Sequence, residues 1–373
     1  MLLHSFDYPP CDGGISRLCA EIAAGFVRRG TGVRVVTQAC EGGSRVPDGV
    51  AVTRVSPLRP KRELDALREI SRGRGSDLVL CGVWYPEGLL ALLSGSKNYI
   101  VLAHGSELMP TSAWWRRALW KRLLRMVLTR ARLVVGDSEY SRRLALSEAP
   151  ECRAVSVPLA VDHVRFSPGD RDAARRAFGV TGKLVIGSVS RIHAYKGHEV
   201  ALEALSRLPD GVRDGFVYLV AGKGPDVGLL QRKARTLGVD HLVRWLGYVA
   251  EDRLPELYRA LDLFLLCTRE TAHRQEVEGF GLVFLEAQAS GTPVVGTRTG
   301  GIPDAVADGD GGWLIGQDDS HAMSGIFRRL ADDPEEFRRA GKAARARVER
   351  EFTWNHYVIR LDAALKAEGL SVG

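Results

Sequence analysis

The sequence has no uninterrupted apolar run near the 18 residues that a spanning helix needs. Its opening, Met1-Leu2-Leu3-His4-Ser5-Phe6, is short for a secretory leader and carries no basic residue ahead of it, so no export signal is expected. The six cysteines (Cys11, Cys19, Cys40, Cys81, Cys152, Cys267) are scattered without a CxxC pair, which leads to an expectation of reduced, structural thiols in a cytoplasmic protein. Metal-ligand clusters are lacking too. His193 with His198, and His273 with Glu276, have no third ligand at useful spacing, and the DxD pair Asp308-Gly309-Asp310 falls in an expected surface loop. No metal and no cofactor are therefore expected.

What is present describes a globular chain. With 373 residues, 45% of them hydrophobic and 26% charged, the length calls for two domains. A net charge of +7 favours anionic partners, and nucleic acid, acidic lipid and nucleotide diphosphates all fit that charge.

Apolar strand-like runs alternate with helical periodicity throughout. Residues 2–6 read as a strand, Gly13-Gly14 as a loop, residues 15–29 as a helix stopped by Gly30, and residues 33–36 as the next strand. This βαβ unit puts the glycines at the carboxyl end of a strand, where open α/β sheets bind ligands. A plain tight turn explains the glycine pair equally, because its spacing is not GxGxxG. Further strands are expected at 50–55, 78–81, 99–103 and 133–136. His104-Gly105 follows the third of these, as either a structural hydrogen-bonder or a catalytic group. Residues 155–168, bounded by prolines, read as a crossover, after which strands recur at 184–188, 217–221, 243–246, 263–267 and 293–296. The expected architecture is α/β, with a first domain over 1–158, a second over 159–350 and a last helix over 351–373 that returns to the first.

The most informative stretch is EGFGLVFLEAQASGTPVV at residues 278–295. Gly279 and Gly281 permit close backbone approach, residues 282–289 favour a helix, and Gly291 and Pro293 end it. Glu286 lies about 6 Å into that helix. Helical side chains lean toward the N-terminus, so Glu286 points back to the mouth that Glu278 borders. Between the two carboxylates, free amides and the helix dipole offer an anion a seat. Carboxylates on either side of an anion suit hydroxyls, one set from a ribose and one from a second sugar, which is the layout of a nucleotide sugar. A helix N-cap with one surface Glu is the plainer alternative. Arg191 and Lys196 follow the first strand of the second domain, and a guanidinium fork with a mobile ammonium suits a diphosphate leaving group. Two solvated cations would be the plain explanation. Gly222, in the AGKGP loop, borders the same edge.

Residues 114–132 hold seven basic residues, three tryptophans and no acid. The wheel puts Trp115, Leu119, Trp120, Leu123, Leu124, Met126 and Val127 on one half and Arg117, Lys121, Arg122 and Arg125 on the other. With Trp114 and Trp115 at its start, such a helix suits an anionic membrane face, or it is a core helix whose wet side is basic. No base-stacking or groove-reading motif accompanies it, so nucleic acid is not expected.

Glu278-x7-Glu286, SGTPVV, GGIPD, Arg191 with Lys196-Gly197, AGKGP and Gly13-Gly14 together resemble the retaining glycosyltransferases of family 4, over nearly the whole chain. The resemblance implies a GT-B fold of two Rossmann-like domains facing across a cleft, with a nucleotide-sugar donor held by the second. By position, Arg191 and Lys196 would grip the diphosphate and Glu286 the ribose. Glu278, with the amides of Phe280, Gly281 and Leu282, would meet the transferred sugar and its phosphate. His104 would sit near the reacting carbon and Gly14 would approach the diphosphate. A front-face retaining mechanism without metal is implied. The stretch from Cys267 to Val277, with Arg269 and Val277-Glu278-Gly279, is similar to that of phosphatidylinositol mannosyltransferases and leans toward GDP-mannose, with UDP-sugars open. A lipid-linked or membrane-presented glycan acceptor on the inner membrane face is expected. A small soluble acceptor, an epimerase on the same fold and a non-catalytic binding protein are the competing readings.

Overall fold

The computed structural model describes residues 1–11, 13–40, 46–72, 78–109, 114–271 and 276–370, with the backbone alone for residues 114–116. The chain divides into two compact units, Met1–Leu159 with Trp354–Gly373, and Ala160–Thr353.

The first unit is built on a seven-stranded sheet comprising β1 (Leu2–His4), β2 (Val33–Gln38), β3 (Val50–Val55), β4 (Val79–Cys81), β5 (Tyr99–Ala103), β6 (Leu133–Gly136) and β7 (Ala154–Ser156), in the order β3-β2-β1-β4-β5-β6-β7. The second has six strands, β8 (Leu184–Val189), β9 (Phe216–Ala221), β10 (Val243–Gly247), β11 (Leu263–Leu266), β12 (Val294–Thr297) and β13 (Gly312–Ile315), ordered β10-β9-β8-β11-β12-β13. Every pairing in both sheets is parallel. Parallel sheets are covered on both faces, so their central strands read as unbroken apolar runs. Every residue of β5 and of β9 is buried.

Two strands escape the sequence reading. β7 overlaps the start of the expected crossover and β13 follows the Asp308-Gly309-Asp310 turn. Both are edge strands of three or four residues, too short for a periodic signal. Asp308 itself is structural: it pairs with Arg298 at 2.5 Å and accepts the Leu314 amide at 3.0 Å.

The Trp354–Ala367 helix belongs to the first unit, against the Gly14–Arg28 helix, where Arg29 pairs with Asp362 at 2.9 Å. One expectation about the cysteines is corrected. Cys11 and Cys40 form a disulfide, while Cys19, Cys81, Cys152 and Cys267 are free and buried. β1 and β2 are paired neighbours, so the loops leaving them bring together two cysteines that stand 29 residues apart in the chain.

Candidate active site

In the second unit the strand order reverses between β8 and β11, which pair directly. Ligands of open parallel sheets bind outside the carboxyl ends of strands at such a reversal. Residues 190–198 leave β8 there and residues 267–281 leave β11. The two loops meet through one ion pair, Lys196 Nζ to Glu278 Oε2 at 2.6 Å, with side-chain exposures of 11% and 19%. So shielded a pair interacts more strongly than one in open water.

The floor beneath Lys196 is neutral. His198 is buried, with Ser188 Oγ and Tyr218 Oη within 3.2 Å of Nδ1 and Ser190 Oγ 2.9 Å from Nε2. Burial first, and the Lys196 cation second, lower the His198 pKa to about 4. The ring is thus uncharged at neutral pH. Arg191, on the same loop, is exposed, and its guanidinium has no partner among the described residues.

The Leu282–Ala289 helix opens beside Glu278. Its N-cap is Gly281 at φ 91°, a left-handed backbone that glycine adopts without strain, and no side chain caps it. Phe284 N–H bonds back to Gly281 O at 3.0 Å, and the two amides ahead of it have no intrahelical acceptor. Phe280 turns its ring inward toward Phe352, so only its main chain is available to a ligand. Leu282 is half-buried. The Glu278 carbonyl accepts Gly301 N–H at 2.9 Å, which holds the loop. One turn into the helix, the buried Glu286 accepts the Tyr258 hydroxyl at 2.8 Å. Tyr258 was not visible as a site residue in the sequence, because it stands 28 positions away on another helix.

Gly222 has a definite steric reason. Its φ is 138°, and a Cβ there would lie 1.8 Å from the Ser190 carbonyl oxygen. Its immediate neighbour is protein backbone, and it lets the loop after β9 pass against the loop after β8. Arg269 is a tie between loops. It donates to Glu199, to Ala194 O at 2.9 Å and to Asp318 at 2.5 Å. Residues 272–275, including His273, lie outside the described residues.

In the first unit the reversal falls between β1 and β4. Gly13 and Gly14 are exposed, and a Cβ built on either meets nothing within 4 Å. His104, at the exit of β5, donates its backbone N–H to Glu107 Oε1 at 2.6 Å. Its Nε2 lies 2.9 Å from Gly82 O and its Nδ1 3.6 Å from Asp137 Oδ2. Burial pulls the ring's pKa down, but Asp137 and Glu107 outweigh it and raise it to about 9. His104 is therefore an imidazolium at neutral pH, a donor at both nitrogens and not a proton acceptor. Asp137 is steadied by Ser141 Oγ at 2.6 Å. It follows β6 directly, so the strand-exit rule that singled out His104 would also have found it.

The basic helix, Trp114–Arg130, is in large part a core helix. Leu124, Val127 and Leu128 join the first unit's core, and Trp120 packs edge-on against Trp84 at 5.3 Å. Lys121 pairs with Glu148 at 3.1 Å and Arg125 with Glu151, acids that precede β7. A helical wheel cannot show acids supplied by a neighbouring segment. Leu119, assigned to the apolar half, is 70% exposed. Arg117 and Arg122 are exposed without a partner among the described residues, and the side chains of Trp114 and Trp115 lie outside them. No helix of the described residues is long and apolar enough to cross a membrane.

Residues 12–165 match the family model described as "Glycosyltransferase Family 4", and residues 170–347 match "Glycosyl transferases group 1". A GDP-mannose-dependent alpha-(1-6)-phosphatidylinositol monomannoside mannosyltransferase of Mycolicibacterium smegmatis is 30% identical across 92% of this chain and 92% of its own. A D-inositol 3-phosphate glycosyltransferase of the same organism is 36% identical across 62% of this chain and 52% of its own. Among solved structures, Anabaena Alr3699/HepE in complex with UDP and glucose superposes with a TM-score of 0.77 at 19% identity, covering 98% of this chain and 99% of that one, a likeness of fold alone. With such a relative aligned over nearly its whole length and a family model on each of its two sheets, the chain belongs to glycosyltransferase family 4 and has the GT-B architecture of two Rossmann-like domains.

Proposed function

We propose that this glycosyltransferase moves mannose from GDP-mannose to a hydroxyl of a lipid-linked or membrane-presented glycan, with retention of configuration and without a metal ion. The observation that carries the reading is the shielded Lys196–Glu278 pair at the uncapped mouth of the Leu282–Ala289 helix. Arg191 and Lys196 bind the diphosphate, and the first amides of the helix add hydrogen bonds to it. When Lys196 turns to the phosphate, Glu278 is released to accept hydroxyls of the sugar. Glu286, with one oxygen already fixed by Tyr258, takes the ribose hydroxyls. Charge builds on the departing phosphate, where two fixed cations lower the barrier as a divalent ion would. That phosphate then accepts the proton of the incoming hydroxyl on the same face of the sugar. His104, as an imidazolium whose two N–H groups face Gly82 O and Asp137, sets a positive charge near the reacting carbon, and Gly14 approaches the diphosphate as the family likeness implies.

The mannosyl donor rests on the 30% identical mannosyltransferase. Membrane attachment rests on Arg117, Arg122 and Leu119, since Lys121 and Arg125 are engaged within the protein. It would place the enzyme peripherally on the inner face of the cytoplasmic membrane. A small soluble acceptor is the second reading, favoured by the 36% identical D-inositol 3-phosphate glycosyltransferase.

Thermal denaturation with GDP, UDP and ADP, in Mg²⁺ and in EDTA, tests the donor, since a ligand of the folded state raises the melting temperature. Selective stabilisation by GDP in EDTA is expected. Selectivity for UDP, or a requirement for Mg²⁺, overturns the donor or the metal part respectively. Flotation with anionic vesicles then separates the two acceptor readings.

A further inference from the structure

The second unit has a cavity of about 320 Å³ at the other end of its sheet. Its walls are segments that lead into strands: Pro168, Gly169 and Arg171 ahead of β8, Arg259 and Leu261 ahead of β11, and residues 290–292 ahead of β12. The donor site lies at the opposite, carboxyl ends of the same strands. Strands of four to six residues separate the two by roughly 13–20 Å.

Five cations line this cavity, Arg171, Arg259, Arg338, Lys342 and Arg345, and no carboxylate does. Three of them stand at i, i+4 and i+7 on the Pro334–Glu351 helix, hence on one face of it. Gly341 lies on that face, where a Cβ would come within 2.1 Å of Gly291 O. Close contact at Gly341 thus presses this face against the turn at Gly291. Arg345 is fixed further by donating to the carbonyls of His163, Phe166 and Ala289.

The neutralising charge is incomplete. Arg338 and Arg345 pair along their own helix with Glu335 and Glu349. Arg171 shares the single carboxylate of Asp262 with Arg175. Among the described residues Arg259 bonds only to Ser167, through its carbonyl and its hydroxyl, and Lys342 has no partner. Arg171 Nε is buried without an acceptor. Burial lowers the pKa of Arg171, and Arg175 and Arg338 lower it further against the pull of Asp262. Like charges gathered around a concave site focus a positive potential that an anion would satisfy.

We infer that this cavity is a second binding site, separate from the donor site, for a ligand bearing a phosphoryl group. Free phosphate, a phosphorylated metabolite and a phospholipid headgroup share that chemistry. Arg259 and Lys342 supply the cations that no carboxylate among the described residues neutralises.

The test is calorimetric titration of inorganic phosphate at low salt into the full chain and two double variants. Arg338→Ala/Lys342→Ala removes two exposed cations of the cavity. Arg339→Ala/Arg350→Ala removes the same charge from exposed positions about 100° round the same helix. The first is expected to weaken phosphate binding about tenfold or more, and the second by less than about twofold. Equal weakening in both, no weakening in the first, or no binding to the wild-type chain overturns the site. Abolition of all phosphate binding by Arg191→Ala would overturn it too, since the anion would then occupy the donor edge. Flotation with phosphatidylcholine vesicles, with and without phosphatidylglycerol, identifies the source. Anionic flotation lost together with phosphate binding in Arg338→Ala/Lys342→Ala supports a headgroup, and flotation unchanged while phosphate binding is lost supports a soluble phosphate.

Discussion

The two sheets present the same kind of edge and load it with opposite chemistry. At the reversal in the second unit a lysine pairs with a carboxylate across two loops, an arginine on one loop has no partner among the described residues, and the buried histidine below is kept neutral. In the first unit the histidine carries the charge, and acids hold it: Asp137 lies beside its ring and Glu107 accepts its backbone N–H. Two histidines, both largely buried, thus end in opposite states because their neighbours differ. His198 sees hydroxyls and a cation, whereas His104 sees two carboxylates and a carbonyl. Burial alone would have lowered both. The second edge is built to receive negative charge, and the first holds a fixed donor.

The sharpest way to break this comparison is Lys196→Ala. It should cost about 10²–10³-fold in turnover if the ammonium stabilises the departing phosphate. Sugar transfer from GDP-mannose measures it, and a loss below tenfold would leave the lysine a merely structural partner of Glu278. The glycines offer the next contrast. Gly222→Ala forces a Cβ into the Ser190 carbonyl at an unfavourable φ, and should cost more than ~2 kcal/mol in urea unfolding. Gly14→Ala meets open space and should change stability by less than ~0.5 kcal/mol, so any large loss of activity there reports ligand approach.

The histidines can be separated by pH. The pKa of His104 rises from 6.5 to about 9 on folding, so its stabilisation is complete below pH 6.5 and is lost as pH rises through 9. Glu87, raised to about 7 by burial, and His4, lowered to about 4, have largely finished titrating by then. Burial holds the thiols of Cys19, Cys81, Cys152 and Cys267 protonated, and they add their own loss of stability above about pH 8.5. The window that reports His104 is therefore about pH 7.5 to 8.5, where unfolding free energy should fall by on the order of 1 kcal/mol and His104→Gln should flatten that slope. An unchanged slope in the variant would place the titration elsewhere. A modest effect belongs to Tyr258→Phe, which removes one hydrogen bond from Glu286. Donor affinity should weaken by roughly threefold to tenfold with the melting temperature nearly unchanged. A collapse of stability instead would mean that the hydroxyl serves the core.

Much of this was legible beforehand. The alternation of apolar runs with helical periodicity located eleven of the thirteen strands among the described residues, and missed only short edge strands. Candidate site residues came from one local rule: Gly14, His104, Arg191, Lys196 and Gly222 all follow the carboxyl end of a strand. The same rule, applied once more, reaches Asp137. The basic helix was harder. Its composition marked it as unusual, yet which arc of it is buried depends on the sheet and helices around it, and the acids that neutralise Lys121 and Arg125 lie outside it in sequence.

The sequence by itself determined the repeated βα units, the glycines that the tight loops require and the helix whose mouth the two glutamates border. Those depend on residues a few positions apart. Tertiary structure alone decided which of these partners meet. Lys196 reaches Glu278 across 82 positions, Tyr258 reaches Glu286 across 28, and Cys11 reaches Cys40 across 29. The five cations of the second unit's cavity come from three separate segments. Strand order brings such residues together, and no periodicity along the chain encodes strand order.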